Sequence, residues 1–289
     1  MEYQFKNLKK EDLPELYQTS VKAFSDYAVD MSYMTEENLN YRCIKNNVDF
    51  NKSVAVYFEN KMVGYTLIGI DNWQGVKSAF DAGTGIIKEH RGKGLAGKMF
   101  EFAVPLLKDH GVKKFWLEVL QVNEKAIKAY QKTGFKITRE FDCFRIKPPE
   151  LVLSDKSKFK YCIKRIDKRD LLLSEDFMDW QPSWENSLMA INRIPNSVVS
   201  YGSFIGDELV GTFVYYPSLN WIMNISVKKE FRRKGIATEL LHYFFNEFKS
   251  QNNYIKLINI DHRDDCMKSF IKKNGFEFTI NQYEMALDL

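Results

Sequence analysis

The stretch HRGKGLAG, residues His90 to Gly97, decides how this chain is read. It holds three glycines and three basic residues in eight positions. Gly92-Lys93-Gly94-Leu95-Ala96-Gly97 spells G-x-G-x-x-G, a dinucleotide-loop pattern that is weak when it stands alone. The chain supplies its own check, because the stretch occurs twice. EHRGKGLAGKMFEFA begins at Glu89, and EFRRKGIATELLHYFF begins at Glu230, an offset of 230 − 89 = 141. Gly134-Phe135 has its counterpart in Gly275-Phe276, and 275 − 134 is again 141. A fixed register over two separate motifs marks two versions of one fold.

The second version narrows the motif. Arg232, Arg233, Lys234, Gly235, Ile236 and Ala237 align with Arg91, Gly92, Lys93, Gly94, Leu95 and Ala96. Arg233 replaces Gly92, and Glu239 replaces Lys98. What persists is R-x-K-G-[L/I]-A rather than the dinucleotide pattern. A dinucleotide loop also tends to open its domain, whereas this one follows four predicted strands. A strand, a glycine turn and a helix N-terminus together favour an anion, with a phosphate or pyrophosphate as guest.

Around the loop each version has the same predicted order. Residues 2–8 read as a strand and 11–24 as a capped amphipathic helix. A second helix opens at Thr35. Residues 53–70 form a hairpin turning at Glu59-Asn60-Lys61. A strand leads into the loop, a helix with Pro105 inside it ends at Gly111, and a strand, a helix and a last strand follow. The expected class is α/β with a mixed sheet, in two domains of residues 1–150 and 158–289. The linker falls near Pro148-Pro149 to Ser157.

Composition sets the outer limits. The 289 residues are 45% hydrophobic and 28% charged, enough apolar content for packed cores. Residues 1–150 carry 23 basic and 20 acidic groups, and the remainder 19 and 18, so neither half is a basic nucleic-acid module. Cys43, Cys143, Cys162 and Cys266 are scattered, which suits reduced thiols and a cytoplasmic protein. His262 and Cys266 are too few ligands for a zinc site, so no metal is expected. No apolar run approaches the roughly 18–20 residues that span a membrane. A monomer or homodimer is expected.

The motif R-x-x-G-x-A after a strand ending GIIKEH resembles the pyrophosphate-binding motif of the GNAT (Gcn5-related) acetyltransferases. NEKAIKAYQKTGF resembles that family's second signature, N-x-x-A-x-x-x-Y-x-x-x-G-F. The resemblance covers both halves and implies tandem GNAT domains with acetyl-CoA as co-substrate. It implies pyrophosphate contacts from Arg91, Gly92, Lys93, Gly94, Leu95, Ala96 and Gly97, with pantetheine along Gly85, Ile86 and Ile87. The corresponding second set is Arg232 to Ala237.

FWLEVLQVNEKAIKAYQKTGF is also similar to the ribosomal-protein alanine acetyltransferases. By that likeness Glu118 is the general base, Tyr130 the general acid, and Asn123 a ligand of the cofactor arm. An ammonium acceptor needs a base, and a carboxylate among Trp116, Leu117 and Val119 is expected to be desolvated. Asp81, before the loop, is the second candidate base. In the other version these positions read Asn259, Asp264 and Ile271, so the first domain is expected to be the catalyst. The second is expected to be a degenerate, CoA-binding or substrate-docking copy. The acceptor is expected to be an amine of a small molecule or peptide, and in this fold its choice falls to the first two helices. A non-catalytic acyl-CoA-binding role, or catalysis in the C-terminal domain, stands as the alternative.

Overall fold

The computed structural model describes residues 2–26, 31, 34–148, 160–248 and 253–289. The expected linker, apart from Pro148, lies outside the described residues, as does part of the segment between the first two helices. The chain forms two compact units, Met1–Arg139 with Tyr283–Leu289, and Glu140–Gln282. The division read from chain order at 150 and 158 differs from these units at the last strand of each repeat.

In unit 1, β1 (Gln4–Asn7), β2 (Val54–Phe58), β3 (Lys61–Trp73) and β4 (Val76–Ile86) form an antiparallel meander. Glu59 and Asn60 turn the β2–β3 hairpin with positive φ, where the sequence expects the turn. The helices are α1 (Leu13–Ala23), α2 (Glu36–Lys45), α3 (Leu95–Asp109) and α4 (Glu124–Lys132). Thr35 caps α2 by accepting from the Asn38 N–H at 3.1 Å. Pro105 lies inside α3, which continues through it.

The strand β5 (Lys114–Leu120) runs parallel to β4 over three pairs alone, Ser78 with Lys114, Ala79 with Phe115 and Phe80 with Trp116. Beyond Phe80 and Trp116 no ladder joins them, although both strands continue. This opening is the feature that positions the site. Leu95, Met99, Phe100, Ala103 and Leu107 of α3 recur at helical spacing and bury against Ala79, Phe115, Leu117 and Val119. The rings of Phe100, Phe115 and Phe135 meet at 5.5–5.7 Å.

Unit 2 repeats the plan with β7 (Cys162–Arg165), β8 (Val199–Ile205), β9 (Glu208–Tyr216) and β10 (Trp221–Val227) antiparallel in sequence. Its helices are α5 (Lys168–Leu172), α6 (Leu188–Arg193), α7 (Ile236–Glu247) and α8 (Asp265–Lys273). The strand β11 (Ile255–Asp261) joins β10 in parallel at two pairs before the two part.

The strands that end the repeats are β6 (Lys136–Ile146) and β12 (Glu277–Asp288). Residues 140–146 of β6 pair antiparallel with β11 and belong to unit 2. The tail Tyr283–Leu289 belongs to unit 1, where Met285 is fully buried in the α3–α4 core and the Leu289 N–H donates to the Lys113 carbonyl at 2.9 Å. Also in unit 1, Arg139 grips Glu284 through two bonds of 2.9 and 2.8 Å, with both side chains at least nine-tenths buried. Unit 1 thus includes the end of the second repeat, and unit 2 the end of the first.

Removing a buried methionine side chain costs about 2–5 kcal/mol, and breaking a buried ion pair costs a similar amount. Met285→Ala and Glu284→Gln should each destabilise unit 1 by that order in denaturant melts. A fragment ending at residue 150 should fail to reach the stability of unit 1 in the whole chain. A fragment as stable as the intact unit would show that the tail contributes nothing.

Candidate active site

The loop comes first, because it fixes the direction of α3. After β4 a 3-10 turn, Lys88–His90, leads to Arg91, and Gly92 and Gly94 adopt positive φ of 76° and 73°. Gly94 is the N-cap of α3 and has no side chain with which to cap it. The N-cap side chains Thr35, Asn123, Asp167, Ser187 and Asp264 bond the first turns of α2, α4, α5, α6 and α8. The first turns of α1, which holds Pro14, and of α3 and α7 receive no such bond. Their N–H groups remain at the positive end of a helix dipole. A Cβ built on Gly92 or Gly94 meets nothing within 4 Å, so the backbone there faces open space. This cradle fits an anionic diphosphate.

Unit 2 keeps the same turn. Gly235 has φ 92°, and Arg233 holds φ 64° where unit 1 has a glycine. A non-glycine residue in that region costs about 1–2 kcal/mol, so the backbone shape is retained despite its strain. Three basic side chains of the loops, those of Arg91, Lys93 and Arg232, are engaged within their own unit. The Arg91 guanidinium turns inward to Asp26 and to the carbonyls of Ile86 and Ala23. The Lys93 ammonium donates to the Tyr3 hydroxyl at 2.9 Å. Tyr161 donates to the Lys234 carbonyl at 3.1 Å. With Arg91 and Lys93 so engaged, the donors of the unit 1 turn that face open space are those of its backbone. Gly85 and Ile86 pair with Tyr65 and Gly64 of β3, and a Cβ on Gly85 would press at 3.0 Å on Ala23 of α1.

Asp81 and Glu118 lie just beyond the last paired residues, Phe80 and Trp116, on the two parting strands. Trp116 donates to Ser78 at 3.3 Å, and strand alternation puts Glu118 on the same face as Trp116. Leu117 and Val119 face the α3–α4 core instead. Glu118 is half-buried, with Oε1 withdrawn from solvent. Tyr130 packs in that core against Phe100 at 5.7 Å and Phe135 at 6.0 Å. Glu118 and Tyr130 therefore arise on opposite faces of β5. The Asn123 Oδ1 is committed to capping α4, accepting from Ala126 N–H at 3.2 Å. Asp264 accepts from Met267 N–H at 2.9 Å in the same way, so the Asn-to-Asp exchange preserves a helix cap.

Asp81 is more specialised than its sequence context suggests. The β3–β4 register slips between Leu67 and Ile68, which pair with Gly83 and Asp81 and leave Ala82 out of the ladder. The Asp81 carboxylate accepts from Gly83 N–H at 2.9 Å, Thr84 Oγ1 at 2.8 Å and Thr66 Oγ1 at 3.4 Å. Burial nevertheless pushes its pKa up to about 6. No sequence pattern announces this cage, because the bulge brings it together.

In unit 2 the position of Glu118 holds Asn259, buried with φ 59° and accepting from Gln282 Nε2 at 2.6 Å. Ile271, at the position of Tyr130, is a core residue. Sequence reading passes over a nearby pair, His262 Nδ1 and Asp142 Oδ2 at 2.8 Å.

The acetyltransferase (GNAT) family model matches residues 12–135, and a GNAT acetyltransferase domain model matches residues 198–278. The chain belongs to the GNAT acetyltransferase family. It is a tandem GNAT protein, as the doubled loop leads one to expect. It is 29% identical over 89 residues to a streptothricin acetyltransferase of Streptomyces lavendulae, covering 31% of this chain and 46% of that one. It is 30% identical over 103 residues to a probable spermine N(1)-acetyltransferase of Bacillus subtilis subsp. natto (strain BEST195), covering 32% of this chain and 64% of that one. The matches thus span about half to two-thirds of these relatives. A solved tandem GNAT protein from the clavulanic acid biosynthesis pathway shares the fold at TM-score 0.75 and 10% identity, over 99% of this chain and 98% of that one. A GCN5-related N-acetyltransferase from Sphaerobacter thermophilus shares it at TM-score 0.73 and 14% identity, over 99% and 95%. Among the described residues no helix is long and apolar enough to cross a membrane.

The raised Asp81 pKa has a stability consequence. Between about pH 4 and pH 6 the folded carboxyl holds a proton that the unfolded one has released. Stability of unit 1 should therefore fall as pH rises through that window, by about 2–3 kcal/mol. Asp81→Asn should flatten this slope in denaturant melts at pH 4, 5, 6 and 7. An unchanged slope would mean that Asp81 titrates normally.

Proposed function

We propose that this chain transfers an acetyl group from acetyl-CoA to an amine of a small molecule or peptide, with unit 1 as the catalyst. The observation that carries the reading is the uncapped, glycine-turned N-terminus of α3 beside the β4–β5 opening. In this reading the backbone N–H groups of Arg91 to Gly97 hold the pyrophosphate of CoA. Gly85, Ile86 and Ile87 offer their strand edge to the pantetheine. The thioester supplies the acyl group and a thiolate leaving group. Glu118 takes the proton from the acceptor ammonium, directly or through water. Tyr130 supplies a proton to the departing sulfur. These two roles rest on the likeness to the ribosomal-protein alanine enzymes. Asp81 is the competing base, and its pKa of about 6 suits that task. The relatives named for spermine and streptothricin make cationic small molecules the first acceptors to try.

Unit 2 is proposed as a weaker CoA site. Glu239 stands in the first turn of α7 where unit 1 has Lys98, and Asp264 replaces Asn123. Both changes add negative charge near an anion cradle. Catalysis in unit 2 is the second reading, because Asp142 holds an imidazole there that could serve as a base.

The test is thiol release from acetyl-CoA with spermine, streptothricin and peptide N-termini as acceptors. Glu118→Gln should lower turnover roughly a hundredfold to ten-thousandfold near pH 7. The Michaelis constant for acetyl-CoA should change little, and the deficit should shrink at high pH, where the amine is already deprotonated. Loss of turnover on Asp81→Asn with Glu118→Gln fully active would move the base to β4. Loss on His262→Ala alone would move catalysis to unit 2.

A further inference from the structure

We propose that the arginine opening each loop, Arg91 in unit 1 and Arg232 in unit 2, is a positioning residue. It ties the phosphate cradle to the segment that ends the first helical stretch, so that filling the cradle steadies that segment. The inference rests on the reading of the loops as cofactor cradles.

Four bonds define the clamp in unit 1. Arg91 Nε donates to the Ile86 carbonyl at 3.0 Å, and Nη2 donates to the Ala23 carbonyl at 2.7 Å. Nη1 and Nη2 also grip Asp26 in a bidentate pair at 2.8 and 2.7 Å. Unit 2 uses the same nitrogens for the same kinds of partner. Arg232 Nε donates to the Val227 carbonyl at 3.0 Å, Nη2 to the Phe177 carbonyl at 2.6 Å, and Nη1 to Asp179. Val227 stands 141 residues after Ile86, so that arm follows the repeat. The other two arms do not. Ala23 and Asp26 are at the end of an eleven-residue helix, whereas Phe177 and Asp179 end and follow a three-residue 3-10 turn. Unlike sequences thus supply one carbonyl and one carboxylate to the same guanidinium. A planar fork with five donors can serve two carbonyls and both oxygens of a carboxylate, one acceptor more than the three N–H groups of a lysine can reach.

The clamp turns the arginine side chain away from the open face of the loop. Its charge lowers the Asp26 and Asp179 carboxyls below their usual range through these hydrogen bonds. Arg91 and Asp26 remain 39% and 41% exposed, so the ion pair by itself is weak in water. The convergence of carbonyl and carboxylate on one group, whose own backbone opens the cradle, is what couples the two sides. A ligand that fixes the loop backbone fixes the guanidinium, and through it residues 23–26. By linkage, loosening that segment weakens the ligand by the same factor.

Hydrogen exchange of the full chain, read on a peptide covering residues 16–26 with and without saturating CoA, tests this. CoA should slow exchange there in the wild type. Asp26→Ala should abolish the slowing and weaken CoA binding roughly two- to fivefold by calorimetry. Asp26→Glu should retain part of the slowing, and Asp179→Ala should leave this peptide's response intact. An unaltered unfolding midpoint separates the effect from global damage. Slowing that survives in Asp26→Ala overturns the clamp, as does CoA binding without slowing in the wild type. A wild-type chain that binds no CoA fails the cradle reading itself, which is a distinguishable result.

Discussion

The structure depends on a helix that starts without a side-chain cap. Gly94 bends the backbone through the left-handed region and delivers the first turn of α3 to open space. Thr35 and Asp167, on extended backbone, close the first turns of α2 and α5 on themselves, which left-handed Gly94 does not do for α3. Leaving those donors open costs stability unless a ligand answers them. The remaining features follow from this arrangement. Inward-facing Arg91 leaves the face clear, and the parting of β4 and β5 opens the sheet next to it.

Unit 2 shows which part of this constraint is strict. Its loop keeps the backbone conformation even with Arg233 at positive φ, and it keeps the inward arginine. The groups proposed for proton transfer in unit 1, Glu118 and Tyr130, give way to Asn259 and Ile271, one in a buried amide network and the other in the core. Shape persists where chemistry changes. Asp264 belongs with the shape, since it caps α8 as Asn123 caps α4.

Much of the fold was legible because its signals are local. The Thr35 cap, the Glu59-Asn60 turn, the spacing of Leu95, Met99 and Ala103, and the doubled loop each lie within a few residues. The exchange of terminal strands was not legible. β6 and β12 offer similar alternating residues, and nothing in either says whether β5 or β11 will be the neighbour. The Arg91–Asp26 pair spans 65 residues and joins positions with no shared pattern. The Asp81 cage needs a one-residue slip in a hairpin register, which sequence periodicity does not encode. Sequence reading put Glu118 on a strand and Tyr130 on a helix, as β5 and α4 have them. It could not tell that Asn123 spends its carbonyl on a helix cap.

The N-terminus of α3 is the proposed main cofactor cradle. Calorimetric titration of CoA into the full chain, with Gly94→Glu and Gly235→Glu beside the wild type, tests it most directly. A carboxylate at Gly94 enters the open face that the glycine leaves clear. Gly94→Glu should lose the tighter binding event, with the thermal midpoint of unit 2 unchanged, and Gly235→Glu should keep it. Wild-type affinity in Gly94→Glu, or loss confined to Gly235→Glu, would place the main cradle elsewhere than at α3.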